Sequence, residues 1–145
     1  MKTALILQHV PFEGPGVFAE VLREQGYELT TCLVPVEGLP GEDYDVLLVM
    51  GGPMSVNDPD PWIAEEPAFI RRAVEEWNRP VLGVCLGAQF IAKALGGAAG
   101  PGAGMEIGLT TVTRTDAGRE DPCFSRFPDH FEAVEWHGEG LDAPP

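Results

Sequence analysis

Residues 79–97 read RPVLGVCLGAQFIAKALGG, and the change of texture inside this stretch decides how the whole chain is read. Val81, Leu82 and Val84 form a short apolar run, after which Phe90, Ile91, Ala94 and Leu95 recur at helical spacing. Between the two stands Cys85, bracketed by Gly83 and Gly87. The pattern predicts a strand, a sharp elbow with the cysteine at its corner, and a helix that Gly96 and Gly97 bring to an end. Glycines on both sides suit such a corner. A nucleophile elbow strains the backbone of its central residue and packs neighbouring chain too closely for larger side chains. At the carboxyl end of the strand the sulfur would meet the amino end of the next helix, which lowers a thiol pKa and favours the thiolate.

The same alternation runs outward in both directions. Residues 3–8 (TALILQ) predict a strand, and residues 15–25 a helix with Phe18, Val21 and Leu22 on one face, Pro15 at its start and Gly26 at its end. Residues 28–34 (ELTTCLV) predict a second strand, 35–42 a surface connection, and 45–50 (DVLLVM) a third strand, apolar throughout. After Gly51, Gly52, Pro53, Met54 and Ser55 comes a turn-rich stretch to Pro61. A helix is then expected around residues 66–78, with Ile70, Ala73, Val74 and Trp77 on one face and the pairs Arg71–Glu75 and Arg72–Glu76 on the other. Residues 96–104 are rich in Gly, Ala and Pro and predict loop. From Glu106 the Thr-rich alternation IGLTTVTRT reads as strand, followed by a polar loop and a last strand over 131–136. With no repeat and no linker, one domain over residues 1–145 is expected. Strands alternating with helices imply an α/β fold with a parallel sheet covered on both faces. Sites in such sheets lie beyond the carboxyl ends of the strands, which singles out residues 51–55 and 83–87.

Composition narrows the function. At 145 residues and 44% hydrophobic content the chain can bury one sizeable core without disulfides or metals, and no apolar run approaches the roughly 18 residues of a membrane span. The first eight residues are too short an apolar stretch for a signal peptide, so a cytoplasmic location is expected. Cys32, Cys85 and Cys123 are odd in number and form no metal-like cluster, which fits a reducing compartment with no metal and no cofactor. A net charge of -14 with only nine Lys and Arg speaks against nucleic acid, and nothing points to a membrane partner.

A cysteine nucleophile in acyl transfer needs backbone N–H groups to hold the oxyanion of its tetrahedral intermediate. The elbow supplies one at Leu86. Gly52, with no side chain to keep a ligand away, is placed to supply another. On spacing alone a buried structural thiol remains an equal alternative for Cys85, because cysteine is among the most often buried residues. His9, in QHVPFEGPG after the first strand, reads as a solvated or capping loop residue, and His130 as a surface residue. Met54 and Ser55 continue the Gly52 loop and line the same pocket by position. Glu106 reads as a strand-edge charge, Trp62 and Trp77 as packing anchors, and Cys32 and Cys123 as inert thiols. No histidine stands at metal-ligand spacing from another His or Cys.

Four segments together resemble a known family: MGGPMSV at 50–56, PVLGVCLGAQFIAKALGG at 80–97, EIG at 106–108 and WHGE at 136–139. They are similar to the class I glutamine amidotransferases, nearest to the GMP-synthase-type subgroup, and the likeness covers essentially the whole chain. The resemblance implies a flavodoxin-like, three-layer α/β domain with a mostly parallel central sheet and the elbow after a central strand. It implies hydrolysis of the glutamine side-chain amide through a Cys, His, Glu triad, giving glutamate and ammonia. Cys85 would form the γ-glutamyl thioester, and Gly52 and Leu86 would form the oxyanion hole. Gln89 would contact the substrate, and backbone around Trp136, His137 and Gly138 would hold its α-amino and α-carboxylate groups. The family's triad His and Glu come from a His-x-Glu motif on a later strand, and the sequence stops at Pro145 before such a segment. His137, Gly138 and Glu139 spell His-x-Glu, but the Trp before them and the Leu141, Asp142 and Pro144 after them match the earlier substrate-side motif, where the family usually has Asp in place of Glu139. A truncated amidotransferase domain is therefore expected, with an uncovered sheet edge that favours a homo-oligomer. L-glutamine is the implied substrate, and a synthetase or acceptor-substrate partner is implied for the ammonia. The competing readings are a non-catalytic, glutamine- or partner-binding member of the fold and a γ-glutamyl peptidase-like cysteine hydrolase.

Overall fold

The computed structural model describes residues 1–144. They divide into two compact units, one of residues 1–100 together with the segment from Glu139 onward, the other of residues 101–138. The first unit is built on four short strands: β1 (Lys2–Gln8), β2 (Tyr27–Leu33), β3 (Val46–Val49) and β4 (Val81–Gly83). All pair in parallel, in the order β2-β1-β3-β4. Period two explains why these apolar runs need cover on both faces. Leu5, Leu7, Leu47 and Val49 point to one core, with Ile63, Phe69, Ile70, Leu86 and Phe90; Ile6, Leu48 and Met50 point to the other, with Leu22 and Leu29 packed against them. The first face is covered by α3 (Pro61–Glu75) and α4 (Leu86–Ala94), and α1 (Val17–Glu24) brings Leu22 to the second.

The expected alternation of strands and helices is present, with several differences. Among the described residues the strand carrying the elbow is the last on its side of the four-stranded sheet. The chain lays β2 on one side of β1 and β3 and β4 on the other, so β4 is the outermost strand on that side, and sequence order does not reveal this reversal. Accordingly Leu82 stays 44% exposed. Of the three apolar residues expected to bury α1, only Leu22 packs on the sheet; Phe18 and Val21 stay exposed and the smaller Ala19 is buried instead. Helix α3 begins at Pro61, five residues before the expected stretch, because proline is tolerated in a first turn whose N–H groups lack helical partners anyway. Within the expected connection 35–42, a single helical turn, α2 (Val34–Glu37), closes on Gly38.

Arg72 pairs with Glu76 as expected, at 3.6 Å, and also lies over the Trp77 ring. Arg71 does something else. Its Nε donates to the carbonyl of Ala94 at 2.6 Å, satisfying one of the acceptors left open in the last turn of α4. Gly96, at φ 93°, then ends the helix, and the Gly97 N–H reaches back to the Ala92 carbonyl at 2.8 Å, the pairing of a Schellman turn.

The second unit carries most of a two-stranded sheet of β5 (Ala98–Thr113) and β6 (His130–Asp142), with α5 (Asp116–Glu120) and a 3-10 turn (Phe124–Arg126) between them. The Gly, Ala and Pro stretch expected to be loop is thus the first part of a long strand. Pairing with β6 overrides the weak strand preference of these residues, and Gly104 and Gly108, at φ 142° and 133°, accommodate the irregularities. Among the described residues no helix is long and apolar enough to cross a membrane.

Candidate active site

The strand-to-helix corner has the geometry its sequence calls for. Cys85 precedes the first residue of α4 and holds φ 53° and ψ -111°, a region that costs a non-glycine residue about 1–3 kcal/mol. What holds it there is the close approach of strand and helix. A Cβ on Gly83 would fall 2.6 Å from the Gly87 carbonyl carbon and from Ile91 Cδ1; one on Gly87 would fall 1.9 Å from the Val49 carbonyl oxygen. The Val84 N–H donates to that same Val49 oxygen at 2.9 Å, continuing the ladder up to the corner. Cys85 is exposed as a residue.

The electrostatics of the sulfur correct the simple helix-terminus expectation. Burial of the thiol on its protein side pushes the Cys85 pKa up, the Leu86 backbone N–H pulls it down, and the Glu13 carboxylate pushes it up again; the result lies above the ordinary thiol value. Desolvation therefore outweighs the pull of the Leu86 N–H at the start of α4. Glu13 was not singled out by sequence. It lies in the loop after β1 and reaches the rim of the site, since a Cβ on Gly51 would fall 2.7 Å from its Oε2 and 3.5 Å from Cys85 Cβ. Neutralising it in Glu13→Gln is expected to lower the Cys85 pKa and to speed iodoacetamide alkylation near neutral pH severalfold. Thiolate absorbance followed against pH measures this, and an unchanged or raised titration midpoint would contradict the assignment.

Gly52 sits in a tight nest, 3.1–3.2 Å from Leu86 Cδ2, Met54 Sδ and His9 Cβ measured from the Cβ it lacks. The loop that follows is tied down on several sides. Lys93 Nζ donates to the Val56 carbonyl at 2.7 Å, and Asn57 Nδ2 donates to the Ala99 carbonyl at 2.9 Å. Ser55 Oγ donates to Glu139 Oε2 at 3.1 Å, and Gln89 Nε2 donates to the Glu139 carbonyl at the same distance. Gln89 is buried on α4 one turn past Cys85, with its amide on the Glu139 backbone. Thus Cys85, Leu86, Gly52, Gln89 and Glu139 all belong to the first unit.

Trp136, His137 and Gly138 belong to the second. Trp136 is exposed, Gly138 lies against Met105, and His137 Nε2 is 3.2 Å from both Glu106 Oε2 and Glu135 Oε2. Glu106, read as a plain strand-edge charge, thus shares the ring with Glu135 across the β5–β6 ribbon; one ligand atom from each of the three residues lies within 4.8 Å of the others. His130 accepts or donates at Thr113 Oγ1, 3.2 Å away.

His9 overturns its reading as a solvated loop residue. It is 2% exposed, and its ring stacks on Trp62 at 5.4 Å between centroids. Nδ1 is 3.2 Å from the Gly51 carbonyl oxygen, and Nε2 is 3.0 and 3.1 Å from the two oxygens of Glu66, itself fully buried. A signal for this pair was available: Ile63, Glu66, Ile70 and Ala73 share one helical stripe, and a carboxylate on an apolar stripe calls for a buried partner. Trp77 is the packing anchor expected, edge-on to Phe69 and Tyr44. Cys32 is buried, with Sγ 3.1 Å from the Gly38 carbonyl, and burial raises its pKa as befits an unreactive thiol.

A parallel α/β sheet with a cysteine at a strained strand-to-helix corner, facing a Gly-Gly turn from the neighbouring strand, defines a class of thiol-bearing, flavodoxin-like proteins. Within that class the chain belongs to the class I glutamine amidotransferases: the family's sequence profile, Glutamine amidotransferase class-I, matches residues 17–144. It is 33% identical over 141 residues to the glutamine amidotransferase-like protein YfeJ of Salmonella typhimurium, covering 90% of this chain and 58% of that protein. It is likewise 33% identical over 141 residues to one subunit of the glutamine-hydrolysing GMP synthase of Saccharolobus solfataricus, covering 97% and 65%. Among solved structures, a glutamine amidotransferase from Thermotoga maritima superposes with a TM-score of 0.88 at 30% identity, covering 99% of this chain and 63% of the other. One from Methylobacillus flagellatus superposes at 0.85 and 34% identity, covering 100% and 59%. The chain thus spans about three fifths of the length of these relatives.

Proposed function

We propose that Cys85 is the nucleophile of a glutaminase reaction. The observation that carries this reading is the strained Cys85 backbone at the corner, with the Leu86 N–H on its sulfur, in a chain of this family. The thiolate attacks the side-chain amide carbon of L-glutamine, and the carbonyl electrons move onto oxygen. The backbone N–H groups of Leu86 and Gly52 receive that oxyanion. Collapse of the intermediate expels the amide nitrogen, which takes up protons and leaves as ammonia, and the γ-glutamyl group stays on sulfur as a thioester. Water then attacks the thioester, releasing glutamate and restoring the thiol. Gln89 is read as a substrate contact.

Two of these steps move protons and call for a positioned histidine. His9 is committed to Glu66 and the Gly51 carbonyl, and His137 faces two carboxylates. By the family resemblance, a His-x-Glu motif on a later strand is the source we assign to the base. The relatives named as one subunit of a GMP synthase support a separate synthetase chain as the partner that takes the ammonia.

The test is to treat the 145-residue chain with a glutamine-like affinity label and, separately, with glutamine. Slow labelling at Cys85 with little or no ammonia release is expected. Ready release of ammonia would show that a histidine within these residues serves as base. No labelling alongside tight glutamine binding would favour a non-catalytic member of the fold, and release of amines from γ-glutamyl peptides in preference to glutamine would favour a peptidase.

A further inference from the structure

We propose that His9 and Glu66 are positioning residues that lock the Gly51–Gly52 peptide so that the Gly52 N–H stays aimed at the oxyanion. The inference rests on the glutaminase reading of Gly52. It begins with peptide geometry: in a trans peptide the C=O of one residue and the N–H of the next lie in one plane and point in opposite directions. Fixing the Gly51 oxygen therefore fixes the direction of the Gly52 N–H. Two consecutive glycines form the peptide least able to hold its own orientation, since neither has a Cβ to limit rotation of the unit. An outside anchor is needed.

His9 is that anchor. The Gly51 oxygen can only accept, so the Nδ1 atom 3.2 Å away must carry a hydrogen and donate it. Nε2 faces both oxygens of Glu66 at 3.0 and 3.1 Å. One further proton lies between Nε2 and the carboxylate, and wherever it resides the pair is neutral overall. That neutrality is how a histidine 2% exposed and a glutamate 0% exposed can sit in the core. Glu66 holds the imidazole in the protonation and orientation that present Nδ1–H to Gly51. Trp62, stacked at 15° to the ring plane, and Phe90, tilted against it at 5.5 Å, leave the ring no room to turn. His9 Cβ in turn crowds Gly52, 3.2 Å from where a Cβ there would be. Strand β1, helix α3 and the loop after β3 thus meet at one carbonyl beside the nucleophile.

The experiment compares two reactions of the Cys85 thiolate. Acylation by p-nitrophenyl acetate expels p-nitrophenolate, leaves an S-acetyl group on the sulfur and passes through an oxyanion. Alkylation by iodoacetamide expels iodide and forms no oxyanion. Neither needs glutamine or a histidine base. In the double variant His9→Phe/Glu66→Leu, which leaves no buried charge unpaired, acylation is expected to fall about tenfold to a hundredfold, while alkylation stays within about twofold of the wild type because the elbow itself is untouched. His9→Asn, whose amide N–H occupies the place of Nδ1–H, should recover most of the acylation rate, and Glu66→Gln, which can donate to Nε2, should keep it. The proposal is overturned if folded His9→Asn acylates as slowly as the double variant, or if acylation and alkylation fall together. Should the double variant fail to fold, the ratio of the two rates in Glu66→Gln and His9→Asn decides: a ratio near the wild type in both supports the lock, and a large drop in both overturns it. A wild-type ratio no higher than that of a small free thiol would instead overturn the reading of Gly52 as an oxyanion donor.

Discussion

Under the proposed reading, Cys85→Ala is expected to remove incorporation of a glutamine-like affinity label altogether and to abolish whatever thiol-dependent release of ammonia the chain shows, because the Cys85 sulfur is the atom that bonds the substrate. The substitution deletes only the sulfur and keeps the Cβ, so the strained corner stays supported by the same close approach of β3, β4 and α4. Mass spectrometry of the labelled protein checks the first part and an ammonia assay the second. Label retained in the alanine variant would move the nucleophile to Cys32 or Cys123 and sink the reading of the elbow.

Gly87→Ala should be the most damaging single substitution for stability. Alanine favours a helix over glycine by about 1 kcal/mol, and residue 87 lies in the first turn of α4. Against that stands a Cβ 1.9 Å from the Val49 carbonyl oxygen and 2.6 Å from its carbon, both backbone atoms of a strand that cannot rotate aside. Ordinary overpacking costs about 1–3 kcal/mol by moving side chains. Here α4 must lift off β3, and about 3 kcal/mol or more of destabilisation is expected, with part of the elbow strain released. Urea unfolding measures it beside Gly100→Ala, a site with nothing within 4 Å of the added Cβ, where the change should stay within about 0.5 kcal/mol. Equal midpoints for the two variants would mean that the glycine bracket of Cys85 is incidental.

Much of this was legible in the chain, and what was not has physical causes. The parallel sheet followed from apolar strands with residues such as Leu47 and Leu48 facing opposite cores, and the corner followed from Gly83 and Gly87. The order β2-β1-β3-β4 was not legible, because sequence order does not encode the side on which a strand is laid. Nor was the strand character of residues 98–104, which pairing with β6 decides against local preference. The corner position of Cys85 could be read from its neighbours, but the direction of its pKa could not: burial around the sulfur and the approach of Glu13 come from tertiary packing. His9 was misread because a histidine after a strand is ordinarily wet, and only its meeting with Glu66, distant in sequence, makes it dry.

The return of the chain at Glu139 bears on how the molecule comes to be folded. Ser55 and Gln89 both bond to Glu139, and Gly97 leaves room for the Asp142 backbone, so the first unit is completed by a segment that arrives after the whole of residues 101–138 have been made. Those residues act as one long closed loop from the standpoint of the first unit. The entropy lost in closing a flexible loop rises only with the logarithm of its length, about 0.6 kcal/mol for each doubling. Lengthening or trimming the excursion between β5 and β6 therefore weighs little on the sheet and its corner, whereas loosening the three residues that receive Glu139 and Asp142 frees the far end of the loop outright.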